Sequence, residues 1–477
     1  MALGPASLEI ATLALAFLVL AWDLIEPARE SAGRRGGLYA LAAAGLVLIL
    51  LGSERVPLPG SLTDAFVLDP FALLVKRILL ATALLAVAGL HAHTRARGIA
   101  WRSGEALVLL LFATVGGMAL VSARELLTLF VAFELLSLPL YVLTALEKER
   151  RTAAEGAIKM FLFGSVSSAV LLLGIALLAA GTGTTFWMRV AAWPHDPIVR
   201  LGAALVVTGF GFKLAAFPFS LWAPDTYQSA PAPVVAFLSV APKAAAVAAL
   251  FRLVFEMFGP AGIPVGSWIA VLAGGTMLVG NLLALRQRDL KRLLAYSGIA
   301  QIGYVLAALA AGTRLAAGLS LFYFVAYLAA NAGAFLVVAA MEAAGEEPTL
   351  HGARNLVRRS PVLASSMLVF LLSLGGIPFA LGFWGKMYVF LAAADAGLWW
   401  LVTIGALLAV VALFYYLTIA RWMFIVRDEG PALTVPAPLA AAIIACAIVA
   451  GAGGLIPQRF AEPALRAVDA MTNSSSR

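Results

Sequence analysis

The sequence predicts an all-α polytopic membrane protein with about fourteen transmembrane helices, two of them broken. Three observations predict it. Hydrophobic residues make up 62% of the 477 and charged residues 12%, about half the charged share of a soluble globular domain. That leaves too little polar surface to cover a water-soluble particle of this size. Apolar runs near the ~20 residues needed to cross a bilayer recur along the whole chain. Strand-type alternation is absent, which argues against a barrel.

The runs fall at 7–26, 37–53, 66–93, 103–122, 124–146, 157–180, 201–240, 241–258, 266–286, 289–311, 314–341, 361–395, 397–425 and 435–456. The seventh carries Pro218, Pro224 and Pro231, with Pro233 close behind. The twelfth carries Gly375, Gly376, Pro378 and Gly382. Both exceed one crossing, so each reads as two half-helices, because proline removes a backbone donor and breaks the helix. Interrupted helices in separate halves of a chain are the pattern of an inverted-repeat transporter. The local echo of AFPFSLW in GIPFALGFW supports two inverted five-helix repeats, spans 4–8 and 9–13. The organisation is then 1–102, a three-helix segment; 103–258 and 266–425, the repeats; and 426–477, a last helix with a short tail.

Basic residues set the orientation. Loops after odd-numbered spans hold seventeen, from Arg29, Arg34 and Arg35 through Lys148, Arg150 and Arg151 to Arg427. Loops after even-numbered spans hold five: Arg55, Arg124, Arg189, Arg200 and Arg314. Odd loops are expected in the cytoplasm, and both termini on the outer side.

Several function classes drop out. One Cys excludes a disulfide framework and a cysteine-ligated cluster. Four scattered His residues make a poor metal site. The +8 charge is spread over short loops and gives no nucleic-acid patch. No basic n-region precedes the first apolar run, so no cleavable signal is expected. GTGTT at 181–185 lacks the lysine of a phosphate-binding loop and reads as a turn.

The informative residues are charges inside spans: Glu134, Lys213, Lys243 and Lys386. Each costs about 2.5–3.5 kcal/mol when central and unpaired. Three lysines and one carboxylate cannot neutralise one another as simple pairs, which favours a proton pathway over helix locking. Pro139 deprives the Leu135 carbonyl of its partner and loosens the turn beside Glu134. Ser320, Tyr323, Tyr327 and Asn331 share one helical face and suit a relay. Lys159 with Glu155 reads as a proton entrance or a snorkelling lysine. Lys76 and Arg77 are expected to snorkel, Arg252 and Glu256 to pair locally, and Cys446 to pack. His91 and His93, at a helix end beside basic residues, look poor as proton donors.

The stretches FKLAAFPFSLWAPDTYQSAPAPVVAFLSVAPKAAAVAAL, NLLALRQRDLKRLLAYSGIAQIGYVL and GGIPFALGFWGKMYVF resemble the antiporter-like N subunit of bacterial respiratory complex I, over about residues 103–425. The last two stretches favour the N subunit over its M paralogue. The resemblance implies the carboxylate of the fifth helix at Glu134 and the lysines of the seventh, eighth and twelfth at Lys213, Lys243 and Lys386. Ser220 and Gln301 stand where the family usually has His, which puts titration there in doubt.

The resemblance also implies a proton-translocating subunit of the cell inner membrane, inactive when isolated and with no cofactor or metal of its own. NADH, FMN, iron–sulfur clusters and quinone would reside in partner subunits, and its neighbours would be membrane lipids and antiporter-like paralogues. A cation/proton antiporter or membrane-bound hydrogenase subunit shares the same core, and a helix-locking scaffold is the third reading. Burial penalises a charged amine and a nearby carboxylate opposes that penalty. Approach of Glu134 would thus hold the Lys213 proton, and withdrawal would release it toward Lys243. Moving one charge against 100 mV costs about 2.3 kcal/mol, so the drive must come from elsewhere.

Overall fold

A computed structural model describes residues 4–25, 32–58, 60–190, 196–427 and 430–473. Arg29 and Arg477 lie outside them. Among the described residues, twelve helices are long and apolar enough to cross a membrane, and Pro361–Gly375 is a shorter apolar one. The protein is a multi-pass helical membrane protein.

α1 (Ser7–Ile25) and α2 (Ala32–Gly52) pack at the edge of the bundle, joined to α3 through a hairpin of β1 (Gly60–Thr63) and β2 (Phe66–Leu68). α3 (Pro70–Ala96) starts where the sequence signals it: Asp69 caps it by accepting from the Ala72 amide at 2.8 Å, and Pro70 fills the first turn. α4 (Ser103–Ser122) packs on α5 (Leu126–Thr144), whose start Glu125 caps through the Leu127 and Thr128 amides. α6 (Arg151–Thr182) is followed by the short α7 (Trp187–Val190) and by α8 (Pro197–Lys213).

The seventh span is broken as expected, but its end differs. α8 stops at Lys213, residues 214–221 form the break, and α9 (Trp222–Ser229) completes the crossing. The next span starts at Ala232 rather than 241: α10 (Ala232–Leu238), α11 (Ala241–Arg252) and a π-helical turn at Leu253–Phe258 form one apolar stretch. Pro231 and Pro233 explain the difference, since proline suits a helix start and not its interior. Lys243 is therefore mid-span.

α12 (Val265–Ala284) and α13 (Leu290–Ala311) form a tight antiparallel pair. The eleventh span, read as continuous, is α14 (Arg314–Tyr327) and α15 (Gly333–Ala343) around a π turn at Leu328–Ala332. Such turns redirect side chains within a helix, and this one carries Asn331. After the short α16 (Leu356–Arg359), the twelfth span divides into α17 (Pro361–Gly375) and α18 (Leu381–Asp395). α19 (Trp399–Phe424) and α20 (Ala437–Ala452) follow. The tail forms an amphipathic helix, α21 (Gln458–Asn473), packed on α14 and α3; the sequence reading assigned no helix there.

Lys76 corrects an expectation. It does not snorkel: its side chain is fully buried and pairs with Glu9 of α1 at 2.6 Å. Arg252 does pair with Glu256, at 2.9 Å, and also with Asp69 at 2.6 Å, tying three helical segments together. The loops with the dense basic residues converge on one face, where Leu290 donates to the Pro348 carbonyl and Lys291 reaches Glu342.

Candidate functional site

The three in-span lysines occupy three different surroundings. Lys213 ends α8 at the lip of the first break, where Nζ donates to Ser137 Oγ at 2.5 Å and lies 4.9 Å above the Phe133 ring. Glu134 is one turn from Ser137 on α5, and its carboxylate accepts from the Ser168 hydroxyl of α6. Glu134 and Lys213 therefore share a neighbourhood without touching, bridged by the α5 turn that Pro139 loosens.

A small cavity of about 20 Å³, room for about one water, opens beside Lys213, lined by Phe133, Trp222, Tyr227, Leu238 and Pro242. It runs from the first break to the helix start that carries Lys243. The Tyr227 hydroxyl is buried there without a protein hydrogen-bond partner, which gives water a reason to occupy the space.

Lys243 is 1% exposed and has no counter-ion among the described residues. Its Nζ donates to the Gly298 carbonyl of α13 at 3.3 Å and stands 5.8 Å from the Tyr227 ring. A Cβ at Gly298 would lie 2.9 Å from the Tyr327 hydroxyl and 3.4 Å from Lys243 Nζ. The missing side chain is the space through which the two groups face each other.

Lys386 lies on the second half of the twelfth span and reaches back across the break. Its Nζ donates to the Leu374 and Gly375 carbonyls at 2.6 and 3.3 Å, with the Tyr304 ring 4.9 Å away. These carbonyls end α17, so the amine meets the negative end of a helix dipole. The freed carbonyls of a broken helix thus face a protein donor, as the bilayer demands.

Between Lys243 and Lys386 lies a polar network. Tyr327 donates to the Ser239 carbonyl at 3.3 Å, and Asn331 to Ser239 Oγ at 2.7 Å. Tyr323, stacked on Tyr327 at 6.5 Å, donates to Gln301 Oε1. Gln301 Nε2 donates at 3.1 Å both to Tyr416 and to the Leu374 carbonyl, the same oxygen that Lys386 uses. Ser297 joins Tyr416 at 2.5 Å. Ser320 is buried with its hydroxyl unpartnered. Lys159 stands apart, 38% exposed and paired with Glu155 and Asp225 at 2.7 and 2.8 Å.

Residues 123–412 match the family described as NADH:quinone oxidoreductase/Mrp antiporter, TM. NADH-quinone oxidoreductase subunit N of Trichlorobacter lovleyi is 40% identical over 83% of this chain and 82% of its own length. The chain belongs to the subunit N family. A respiratory complex I chain of Thermus thermophilus superposes with a TM-score of 0.82 at 32% identity, covering 95% of this chain and 98% of that one. A chain of the Mrp complex from Dietzia sp. DQ12-45-1b reaches the same TM-score at 22% identity, over 98% and 97% of the two chains. Backbone shape is common to both assemblies, so sequence identity decides the subfamily.

Sequence reasoning missed Ser137, Ser168, Tyr227, Ser239, Ser297, Tyr304 and Tyr416. Each is an ordinary residue whose role depends on what faces it. Gln301 was noticed only as a departure from His, yet it joins the Tyr323 face to the second break.

Proposed function

We propose that this chain carries protons across the membrane through Glu134, Lys213, Lys243 and Lys386, as an antiporter-like subunit of NADH:quinone oxidoreductase. Redox chemistry is assigned to partner subunits, so the isolated chain turns over no NADH. FMN, iron–sulfur clusters and quinone belong to those partners; the single Cys446 cannot ligate a cluster. The face bearing the basic loops lies in the cytoplasm of a bacterial cell, with both termini outside, and the neighbours are other membrane subunits of the complex.

One observation carries the reading: Gln301 and Lys386 share the Leu374 carbonyl, while Gln301 also holds Tyr323, so hydrogen-bonding groups span from the Lys243 neighbourhood to Lys386. A purely structural lysine needs a counter-ion, and among the described residues Lys243 and Lys386 meet only carbonyls and aromatic faces. Carbonyl oxygens and aromatic rings tolerate both the charged and the neutral amine, which a tight carboxylate pair does not. Identity to the Thermus complex I chain favours this assembly over the Mrp type.

Lys243→Met tests it. Removing an amine that has no counter-ion leaves no orphan charge, so complex abundance should hold. Proton pumping by the complex in membrane vesicles should fall by about 100-fold, within the range for losing a positioned proton carrier. Wild-type pumping by this variant would defeat the reading.

A further inference from the structure

At the face bearing the basic loops, an open cleft of about 370 Å³ is lined by Arg97, Lys159, Asp225, Lys291, Glu342 and Glu347, among others. Behind Glu342 lies His93, at the end of α3 and 1% exposed. Its Nε2 is 2.7 Å from Glu147 Oε1, and its Nδ1 faces Glu342 Oε2 at 3.9 Å with no hydrogen-bond partner. A neutral imidazole has one donor and one acceptor, yet both of its neighbours here are carboxylates. With Nε2–H given to Glu147, the Nδ1 lone pair points at another acceptor. The arrangement has one open place for a proton, between Nδ1 and Glu342.

Each carboxylate is held by its own cation. Glu147 is bound by Arg150 at 2.7 Å, with Arg97 at 3.6 Å. Burial alone would raise its carboxyl, but hydrogen bonds from His93 and Arg150, with the Arg150 charge, hold it well below the usual carboxylate range. It stays a carboxylate and anchors the ring. Glu342 is paired with Lys291 at 2.7 Å, borders the cleft, and accepts from the Ala232 amide at 3.2 Å. Ala232 opens the span that carries Lys243, eleven residues or about 16 Å along the helix.

We propose that His93 is a proton-storing group of this subunit, exchanging protons with the cleft through Glu342 at the head of the Lys243 span. A proton from cleft water reaches Nδ1 by way of Glu342 Oε2, the group between the ring and the cleft, and makes the imidazolium. It leaves from the same nitrogen to Glu342 Oε2, restoring the neutral ring, while Lys291 loses its carboxylate partner and turns to the Ala230 carbonyl, 2.9 Å from its Nζ. Only N–H and O–H bonds are made and broken. The charged groups facing the ring are Glu147 and Glu342, with Arg97, Arg150 and Lys291 behind them.

The inference rests on the pathway proposed above, and the test separates the two. In the intact complex in inverted membrane vesicles, His93→Gln keeps an amide donor for Glu147 but does not titrate. Pumping should fall about 10-fold or more, and its pH profile should differ from wild type. Glu342→Gln should lower pumping in the same way, and it decides the question if His93→Gln fails to assemble. Lys243→Met runs in parallel. Loss of pumping there, with a wild-type pH profile in His93→Gln, overturns this inference alone. Normal pumping in Lys243→Met overturns the pathway itself. Reduced abundance with an unaltered pH profile in the assembled fraction makes His93 structural and also overturns the inference.

Discussion

The two broken helices use the same device with the lysine on opposite sides. In both, a proline lies in the break: Pro218 after α8 and Pro378 after α17. After each break an indole donates to a backbone carbonyl, Trp222 at the start of α9 to Phe212 and Trp384 in the first turn of α18 to Gly454. Lys213 precedes its break, whereas Lys386 follows its own and reaches back. Their partners differ accordingly. Lys213 rests on a serine hydroxyl with the Glu134 carboxylate nearby; Lys386 rests on the carbonyl end of a half-helix and, among the described residues, has no carboxylate paired with it. On the proposed pathway, the first lysine would answer to a charge that can move or be neutralised, the second to fixed dipoles.

That contrast predicts that backbone changes hurt the second break most. Gly376 has φ of +81°, and a Cβ there would lie 3.0 Å from Lys386 Cδ. Gly376→Ala should displace the amine from Leu374 and lower pumping about 100-fold, through left-handed strain of roughly 1–2 kcal/mol plus the contact. The first break already holds an alanine in that region, Ala215 with φ of +53°. Ala215→Gly should relieve about 1 kcal/mol, seen as higher thermal stability of the complex, with pumping intact. Equal losses of pumping in both variants would erase the contrast.

Smaller effects come from the groups between the breaks. Gly298→Ala fills the space between Lys243 and Tyr327, and pumping should drop about 10-fold, the cost of lengthening one proton transfer. Gln301→Leu removes the link between Tyr323 and Leu374 and should lower pumping a further step less, about 5-fold, with Gln301→His restoring most of it. Lys159→Met should change pumping by less than about 2-fold, because exposed ion pairs contribute little. A large loss there would move the functional region toward the basic-loop face.

The sequence made the breaks legible because proline and glycine act locally. The isolated charges and the Ser320–Asn331 stripe were legible because hydropathy and helical phase are local too. What stayed hidden depends on which faces meet. Gln301 finds its partners 73 and 115 residues away, and nothing local marks them. Lys76 looked like a snorkelling lysine because Glu9 lies on another helix. His93 looked idle among basic neighbours because its two carboxylates come from a loop and from α15. The start of the Lys243 span was misplaced because an apolar run shows no boundary where two crossings meet at a proline pair. The π turn at Leu328–Ala332 leaves no compositional mark.

The central claim is that Lys213 works by exchanging a proton under the influence of Glu134. Arginine keeps the charge and the reach but holds its proton in proteins. The decisive measurement is proton pumping, alongside complex abundance, for Lys213→Arg, Lys213→Ala and Glu134→Gln in native membranes. The account predicts three assembled complexes, all with pumping reduced about 10-fold or more. Near-normal pumping by Lys213→Arg, with lost assembly in the two neutral variants, would make Lys213 a helix lock and contradict the account.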